Sequence, residues 1–427
     1  MANFKDKVVY QIYPKSFNDT NNDGYGDIKG ITEKLDYLKE LGIDMIWMCP
    51  IFVSRQKDSG YDVSDYYNID PKFGTIEDLE ELIEEAKKRN IYLMFDMVFN
   101  HTSTHHQWFK EAMKGNQRYK DYYFFKKPKE DGSMPTNWDS KFGGKAWKYV
   151  PEFGEYYLHL YDEEQADLDW TNKEVREELY KIIRYWLDKG IRGFRFDVVN
   201  NIDKRSFEDC PNGIGKQFYC DQPKVHEYLH EMNINTFGKV ENCITVGEMS
   251  ATSVENCIGY TNPDNHELDM VFSFHHLKVD YKNKEKWTSM AFDFEELKSL
   301  LHTWQVEMQN GHGWNALFWN CHDQPRSVSR FGDDKKYRKE SAKMLAATMH
   351  LMRGTPYIYQ GEEIGMTNHY FTDIKQYRDV ESINAYHILK DKGVKEEQIH
   401  QILQEKSRDN SRTPMQWDST ENGGFSK

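Results

Sequence analysis

Four stretches of the chain set ionisable residues of bond-cleaving types into apolar surroundings. In "GIRGFRFDVVN" (190–200), Arg195 and Asp197 interrupt an aromatic and β-branched run that follows a helical segment ending at Gly190. Buried charges cost free energy unless they are paired or used. Residues two apart on a strand share a face, so the guanidinium and the carboxylate are expected side by side. Alone, this is a structural ion pair. It has candidate partners elsewhere, however. Asp96, Asn100 and His101 close "IYLMFDMVFNH" (91–101), Glu248 closes "CITVGEM" (243–249), and His322 and Asp323 close "NALFWNCHD" (315–323).

Paired carboxylates suit cleavage of a glycosidic bond: one attacks the anomeric carbon while the other protonates the leaving oxygen. Attack needs an ionised carboxylate, and Arg195 is expected to hold the pKa of Asp197 down. Glu248 follows Val246 and Gly247, a less charged setting in which partial desolvation would raise its pKa and suit it to proton donation. Asp323 is expected to bind sugar hydroxyls and to stabilise an oxocarbenium-like transition state.

For these acids to meet, their elements must end at one place. Apolar runs at 7–14, 42–50, 91–101, 193–199, 243–249, 267–276, 315–323 and 355–363 read as strands, with amphipathic helical segments between them. One such helix, "TIEDLEELIEEAKKRN", starts at Thr75 with acids in its first turn and closes in basic residues. Alternating strand and helix implies right-handed βαβ units and a parallel sheet. Eight units predict a closed (β/α)8 TIM barrel, whose strands' C-terminal ends form one mouth. The acids and histidines all fall at such ends. Between His101 and Trp170 the rhythm breaks into an aromatic- and Gly-rich region too long for a bare loop, which predicts an inserted subdomain. The expected division is barrel over 1–101, inserted subdomain B over 102–170, and barrel again over 171–427.

With 427 residues, a net charge of −14 and a pI near 5.6, the chain is a folded, acidic protein. That charge argues against nucleic acid or an anionic membrane as the main partner and leaves a small-molecule substrate. The start "MANFKDKVVY" has no apolar export segment, and no run reaches transmembrane length. The six cysteines (49, 210, 220, 243, 257, 321) lack CxxC spacing and are expected as free thiols in a reducing cytoplasm.

Taken together, "DMVFNH", "GFRFD", "VGEM" and "HD" before "QPR" resemble the four short signature segments of the α-amylase family, glycoside hydrolase family 13. "QADLDW" (165–170) resembles the further motif that closes the family's inserted subdomain. The resemblance runs over essentially the whole chain. It implies a retaining hydrolase with Asp197 as nucleophile, Glu248 as acid/base and Asp323 as transition-state stabiliser. It also implies that His101, Arg195 and His322 line the first sugar subsite, joined by Tyr61 and Asp62 of "SGYDVSDY" and by Arg412 of "DNSRTPMQWD". One departure stands out: the residue before His322 is usually Asn in the family, whereas here it is Cys321, after Asn320. Tuning of the site is expected from it, not loss of mechanism. No organic cofactor is implied.

"DTNNDGYGD" (19–27) places oxygen ligands at alternate positions around Gly24, like the start of an EF-hand-type calcium loop. Gly30 stands where an EF-hand has its closing Glu, so the alternative is an Asx-rich turn. The resemblance implies a structural divalent site, Ca²⁺, on Asp19, Asn21, Asp23, the Tyr25 carbonyl and Asp27. "HTSTHH" (101–106) could suggest zinc, but His101 already has its implied place at the sugar.

Substrate choice rests on "FSFHHLKVDYKNKEKW" (272–287), a lysine-rich stretch after the sixth strand. A lysine run is usually a solvated face. Near the barrel mouth it bears on the substrate: "FSFHHLKVDY", "GWNALFW", "YTNPDN", "ELDM" and "GTPYIYQGEEIGMTN" together resemble the branch of the family that cleaves the α,α-1,1 bond of trehalose 6-phosphate into glucose and glucose 6-phosphate. A phosphate needs cationic donors. Lys278 and Lys286 are the first candidates, Lys284 the next, with Lys204 and Arg205 weaker. The rival within the family is an oligo-1,6-glucosidase or another neutral α-glucosidase. A non-catalytic barrel used as a binding module is the rival from another class, and retention of all three acids argues against it. A cytoplasmic monomer is expected. The family continues past "NGGFSK" into a last barrel helix and a C-terminal β-sandwich, so both are expected to be missing here.

Overall fold

The computed structural model describes residues 4–426. Its main sheet has eight parallel strands: β1 Val9–Ile12, β2 Met45–Met48, β3 Tyr92–Met97, β4 Gly193–Phe196, β5 Ile244–Met249, β6 Met270–Ser273, β7 Ala316–Leu317 and β8 Thr355–Tyr359. They pair in the order β6-β5-β4-β3-β2-β1-β8-β7. A parallel bridge between Val271 and Asn315 joins β6 to β7 and closes the ring into a (β/α)8 barrel. All eight strands fall within the runs read from the sequence. All but β5 end sooner than their runs: Asp197, His322 and Asp323 lie past the strand ends, whereas Asp96 and Glu248 stand within β3 and β5.

Apolar stripes explain the helical layer. Ile76–Lys88 is capped by Thr75, whose side chain accepts from the Asp78 amide while Asp78 accepts from the Thr75 amide, a capping box. Its Leu79, Leu82 and Ala86 are buried. Lys173–Asp188 is capped by Asn172 and buries Leu179, Ile183 and Trp186. It ends before Gly190, whose φ of +106° is easy only for glycine and turns the chain into β4. The amphipathic segment between β1 and β2 forms two helices, Ile28–Glu33 and Leu35–Glu40, with a break at Lys34.

Between β3 and β4 the chain leaves the barrel. His101–Ser103 pairs antiparallel with Gln165–Asp167, and a three-stranded sheet joins Phe125–Lys126, Glu155–Leu158 and Trp147–Val150. A separate cluster around Trp138, Trp147, Leu158 and Leu160 packs there. Cys210 and Tyr219, from the loop after β4, join that cluster. This loop and the inserted segment are therefore one packed unit overhanging the barrel mouth. Among the described residues no helix is long and apolar enough to cross a membrane, and all six cysteines are unpaired.

Candidate active site

The strand ends deliver the acids to a cavity of about 350 Å³ at the barrel mouth. Asp197 is the first residue past β4, and its amide continues the ladder by donating to the Met97 carbonyl at 3.0 Å. The next residue, Val198, has a left-handed φ of +36°, which is unfavourable for a β-branched side chain. This turn aims the Val198 amide at Glu248 Oε2, 3.1 Å away. Asp197, Glu248 and Asp323 all line the cavity, with Tyr61, His101, Tyr161 and Arg408.

Arg195 lies behind them, 1 % exposed. Its Nη1 is 2.6 Å from both Asp96 Oδ1 and Asp197 Oδ1, and its Nη2 is 2.7 Å from Glu248 Oε2. The sequence placed Glu248 in a less charged setting; the structure gives it the same guanidinium as Asp197. A second correction concerns Asp197 itself. Burial outweighs Arg195 and pushes its carboxyl up to about 6. Burial pushes Glu248 further, to about 8, with Arg195 opposing and Asp197 and Asp323 adding to the rise. Two acids sharing one cation thus differ in acidity as a base and an acid would.

Asp323 behaves oppositely. Although burial raises its carboxyl, His322, Arg408 and Arg412 together hold it well below the usual carboxylate range. Arg408 Nη1 and Arg412 Nη2 lie 3.0 and 2.9 Å from its Oδ1. Its side chain is the most open of the acids, 23 % exposed, so an anionic face is offered to the cavity.

His322 sits in a tight cage. Its ring stacks on Tyr61 (5.2 Å, 7°) and Tyr13 (6.3 Å, 13°). The Gln11 side-chain amide contacts its Nδ1 at 2.7 Å, and an amide nitrogen only donates. Nδ1 is therefore the bare nitrogen, and Nε2–H points at the Tyr61 hydroxyl (2.7 Å) and Asp323 (3.2 Å). Tyr61 in turn donates to Asp96 at 2.8 Å. Burial drives His322 and His101 down to about 3 and about 4, so both are neutral. His101 Nε2 faces the Tyr61 carbonyl at 3.0 Å.

These contacts sort the residues expected around the first sugar. Tyr61 and His101 line the cavity, whereas Arg195, His322 and Arg412 stand behind its wall and act on it through the acids. Asp62 also lies behind. Its Oδ1 accepts from the Ser54 hydroxyl at 2.8 Å, and its buried Oδ2 has no partner among the described residues. Asn320 turns away toward Glu362 and the Ser327 amide, leaving the buried Cys321 thiol under the Asp323 amide at 3.4 Å.

The family model for the α-amylase catalytic domain matches residues 11–427. The chain belongs to the α-amylase family. The trehalose-6-phosphate hydrolase of Bacillus subtilis (strain 168) is 60 % identical over 424 residues, which is 99 % of this chain and 75 % of that relative. The enzyme of the same name from Escherichia coli (strain K12) is 53 % identical over 423 residues, 99 % of this chain and 76 % of the relative. Among solved structures, the trehalose-6-phosphate hydrolase of Bacillus licheniformis superposes with a TM-score of 0.95. It is 59 % identical, and the match covers 100 % of this chain and 77 % of that one.

Other α-amylase-family expectations fare differently. Lys278 and Lys286 line the cavity, but Lys286 is paired with Glu381 at 2.6 Å. Lys284 is exposed and outside the lining. Lys204 is buried against Asp167 (3.1 Å), and Arg205 is paired with Asp203 (2.7 Å). In the 19–27 loop, Asp19 accepts from the amides of Asn21, Asn22 and Gly24, and Asp23 accepts from that of Tyr25. Asp27 accepts from Thr20 and caps the following helix through Gly30. The donors are oxygen-only, as a hard cation prefers. Among the described residues, however, no three His, Cys, Asp or Glu side chains gather as a metal shell would.

Sequence reasoning missed Arg408, which joins Asp323 to the buried Asp58 and Asp379. A signal for it exists in "SRDNSR", where Arg408 stands four residues before Arg412. Gln11, on β1, was missed because its partner His322 lies 311 residues away, and Lys141 and Lys216 because their places depend on loops meeting across the mouth.

Proposed function

We propose that the chain hydrolyses trehalose 6-phosphate to glucose and glucose 6-phosphate with retention of configuration. The observation that carries this is one cavity holding three carboxylates of contrasting acidity and a wall of lysines. The similarity to trehalose-6-phosphate hydrolases supports the same substrate.

In this reading the ionised Asp197 attacks the anomeric carbon of the unphosphorylated glucose. The bond to the glycosidic oxygen breaks, and Glu248 gives that oxygen its proton, releasing glucose 6-phosphate. Water then attacks the glucosyl-Asp197 ester, loses a proton to Glu248, and frees glucose. Asp323, anionic throughout, faces the ring as positive charge develops there. Arg195 keeps Asp197 and Glu248 aimed, and Tyr61 and His101 contact the sugar, with Asp62, His322 and Arg412 supporting them. Lys278 is the leading phosphate donor and Lys286 the second, its charge partly neutralised by Glu381. Two carboxylates and a water complete the chemistry without an organic cofactor.

The proposal extends to a subdomain over 102–170 between two barrel parts, a cytoplasmic monomer, and Ca²⁺ held structurally by Asp19, Asn21, Asp23, the Tyr25 carbonyl and Asp27. A phosphorylated sugar and unpaired thiols both suit the cytoplasm.

Two measurements test the reading. Hydrolysis of trehalose 6-phosphate is compared with that of trehalose and isomaltose; a neutral sugar turned over as well as the phosphorylated one would overturn the substrate assignment. Mass spectrometry after a trapping substrate is expected to find a glucosyl adduct on Asp197. An adduct on another acid would reassign the nucleophile.

A further inference from the structure

We infer that the phosphate is gripped from the overhanging unit as well as from the β6 loop, by Lys141 and Lys216 facing Lys278. The inference rests on the trehalose 6-phosphate reading and extends its site to residues from two other loops. All three amines line the cavity that holds Asp197, Glu248 and Asp323. Lys286 has a carboxylate at 2.6 Å, whereas none of these three has an ion-pair partner among the described residues. In a protein of net charge −14, three unpaired cations around one cavity mark a place for an anion.

Both supporting loops are tied into the fold by hydrogen bonds or ring packing. Lys141 Nζ lies 3.2 Å from the Tyr161 hydroxyl and 5.1 Å from that ring's centre, beside the Ser250 hydroxyl. Its backbone amide donates to the Leu160 carbonyl, and Ser140 ties the turn to the Tyr161 carbonyl at 2.6 Å. Lys216 follows Gly215, where a Cβ would stand 2.8 Å from the Trp138 indole, so that loop packs closely on the inserted segment. Phe218 then stacks on Trp138 at 5.8 Å and 11°. Lys278 and Lys216 are both exposed along the open cleft, and partial desolvation there, with Lys216 and Lys141 adding their repulsion, lowers the Lys278 amine to about 8. An arriving phosphate, carrying about −1.5 to −2 charge, would relieve that repulsion.

The alternative is that these lysines merely balance the carboxylates, since Glu248 is among the charges acting on Lys141. The two roles separate by substrate. In Lys216→Met and Lys141→Met, kcat/KM is measured on trehalose 6-phosphate and on p-nitrophenyl α-glucoside. Removing one charge-assisted hydrogen bond to the phosphate is expected to lower the ratio of the two values about 10- to 100-fold, mostly through KM. Lys141→Arg should recover most of the ratio. Equal losses on both substrates, or an unchanged ratio in Lys216→Met with its wild-type melting temperature, would overturn the assignment. A wild-type chain indifferent to the 6-phosphate would fail the substrate reading itself. A wild-type preference that survives both substitutions would fail only these lysines.

Discussion

Arg195 Nη2 lies 2.7 Å from Glu248 Oε2, so the proposed proton donor and the proposed nucleophile hang on one guanidinium. That cation also holds Asp96, and without it three buried acids would face one another. Breaking a buried pair from one side costs about 3–5 kcal/mol. Arg195→Gln is therefore predicted to lower Tm measurably in calorimetry and to abolish turnover. Arg195→Gln with full stability would mean that the acids do not depend on it.

The acidities of Asp197 and Glu248 set a pH profile. The working form has Asp197 ionised and Glu248 protonated, so kcat/KM should fall as pH drops through about 6 and again as pH rises through about 8. Glu248→Gln should remove the alkaline limb from residual activity on a substrate with a good leaving group. Asp197→Asn should cost on the order of 10⁴-fold or more in turnover. Its Tm should change little, since Arg195 keeps Asp96 and Glu248.

Arg408 connects Asp323 to Asp58 and Asp379 through one side chain. Arg408→Met is predicted to destabilise the fold by about 3–5 kcal/mol, readable as a lower denaturant midpoint. Arg408→Lys retains a charge but not the fork, so it should fall between wild type and Met. A silent Arg408→Met would show that Arg412 suffices for Asp323.

Gln11 contacts His322 Nδ1 from the opposite side of the ring to Asp323. Gln11→Leu removes that donor and leaves a buried nitrogen unpaired, at about 1–3 kcal/mol. His322 would then lose the bond that selects Nε2–H. The expected result is a lower kcat with a new pH dependence, measured on a neutral glucoside. An unaltered profile would show that Gln11 does not set the tautomer of His322.

If the 19–27 loop holds Ca²⁺, calcium at 100 times Kd should stabilise the fold over EGTA by about 2.7 kcal/mol. Asp23→Ala should erase that difference without changing the melt in EGTA. Equal melts for the wild type in both buffers would leave the loop an Asx-rich turn.

The barrel and its three acids were legible in the sequence for a local reason. Strand and helix periodicity are short-range patterns, and a parallel barrel brings every strand's C-terminal end to one face. Asp197, Glu248 and Asp323 needed no further information to meet. What decided their acidities was not local. Asp197 stands two residues from Arg195, yet burial raises its carboxyl, while Asp323 is lowered by cations that include arginines 85 and 89 residues away. The lysine wall shows the same limit. Lys278 lay in a stretch that announced itself by its charge, but Lys284 lies outside the cavity. Lys141 and Lys216 come in from loops that pack together around Trp138. Which charges face each other across one cavity is a property of packing between distant segments, and only the tertiary structure decides it.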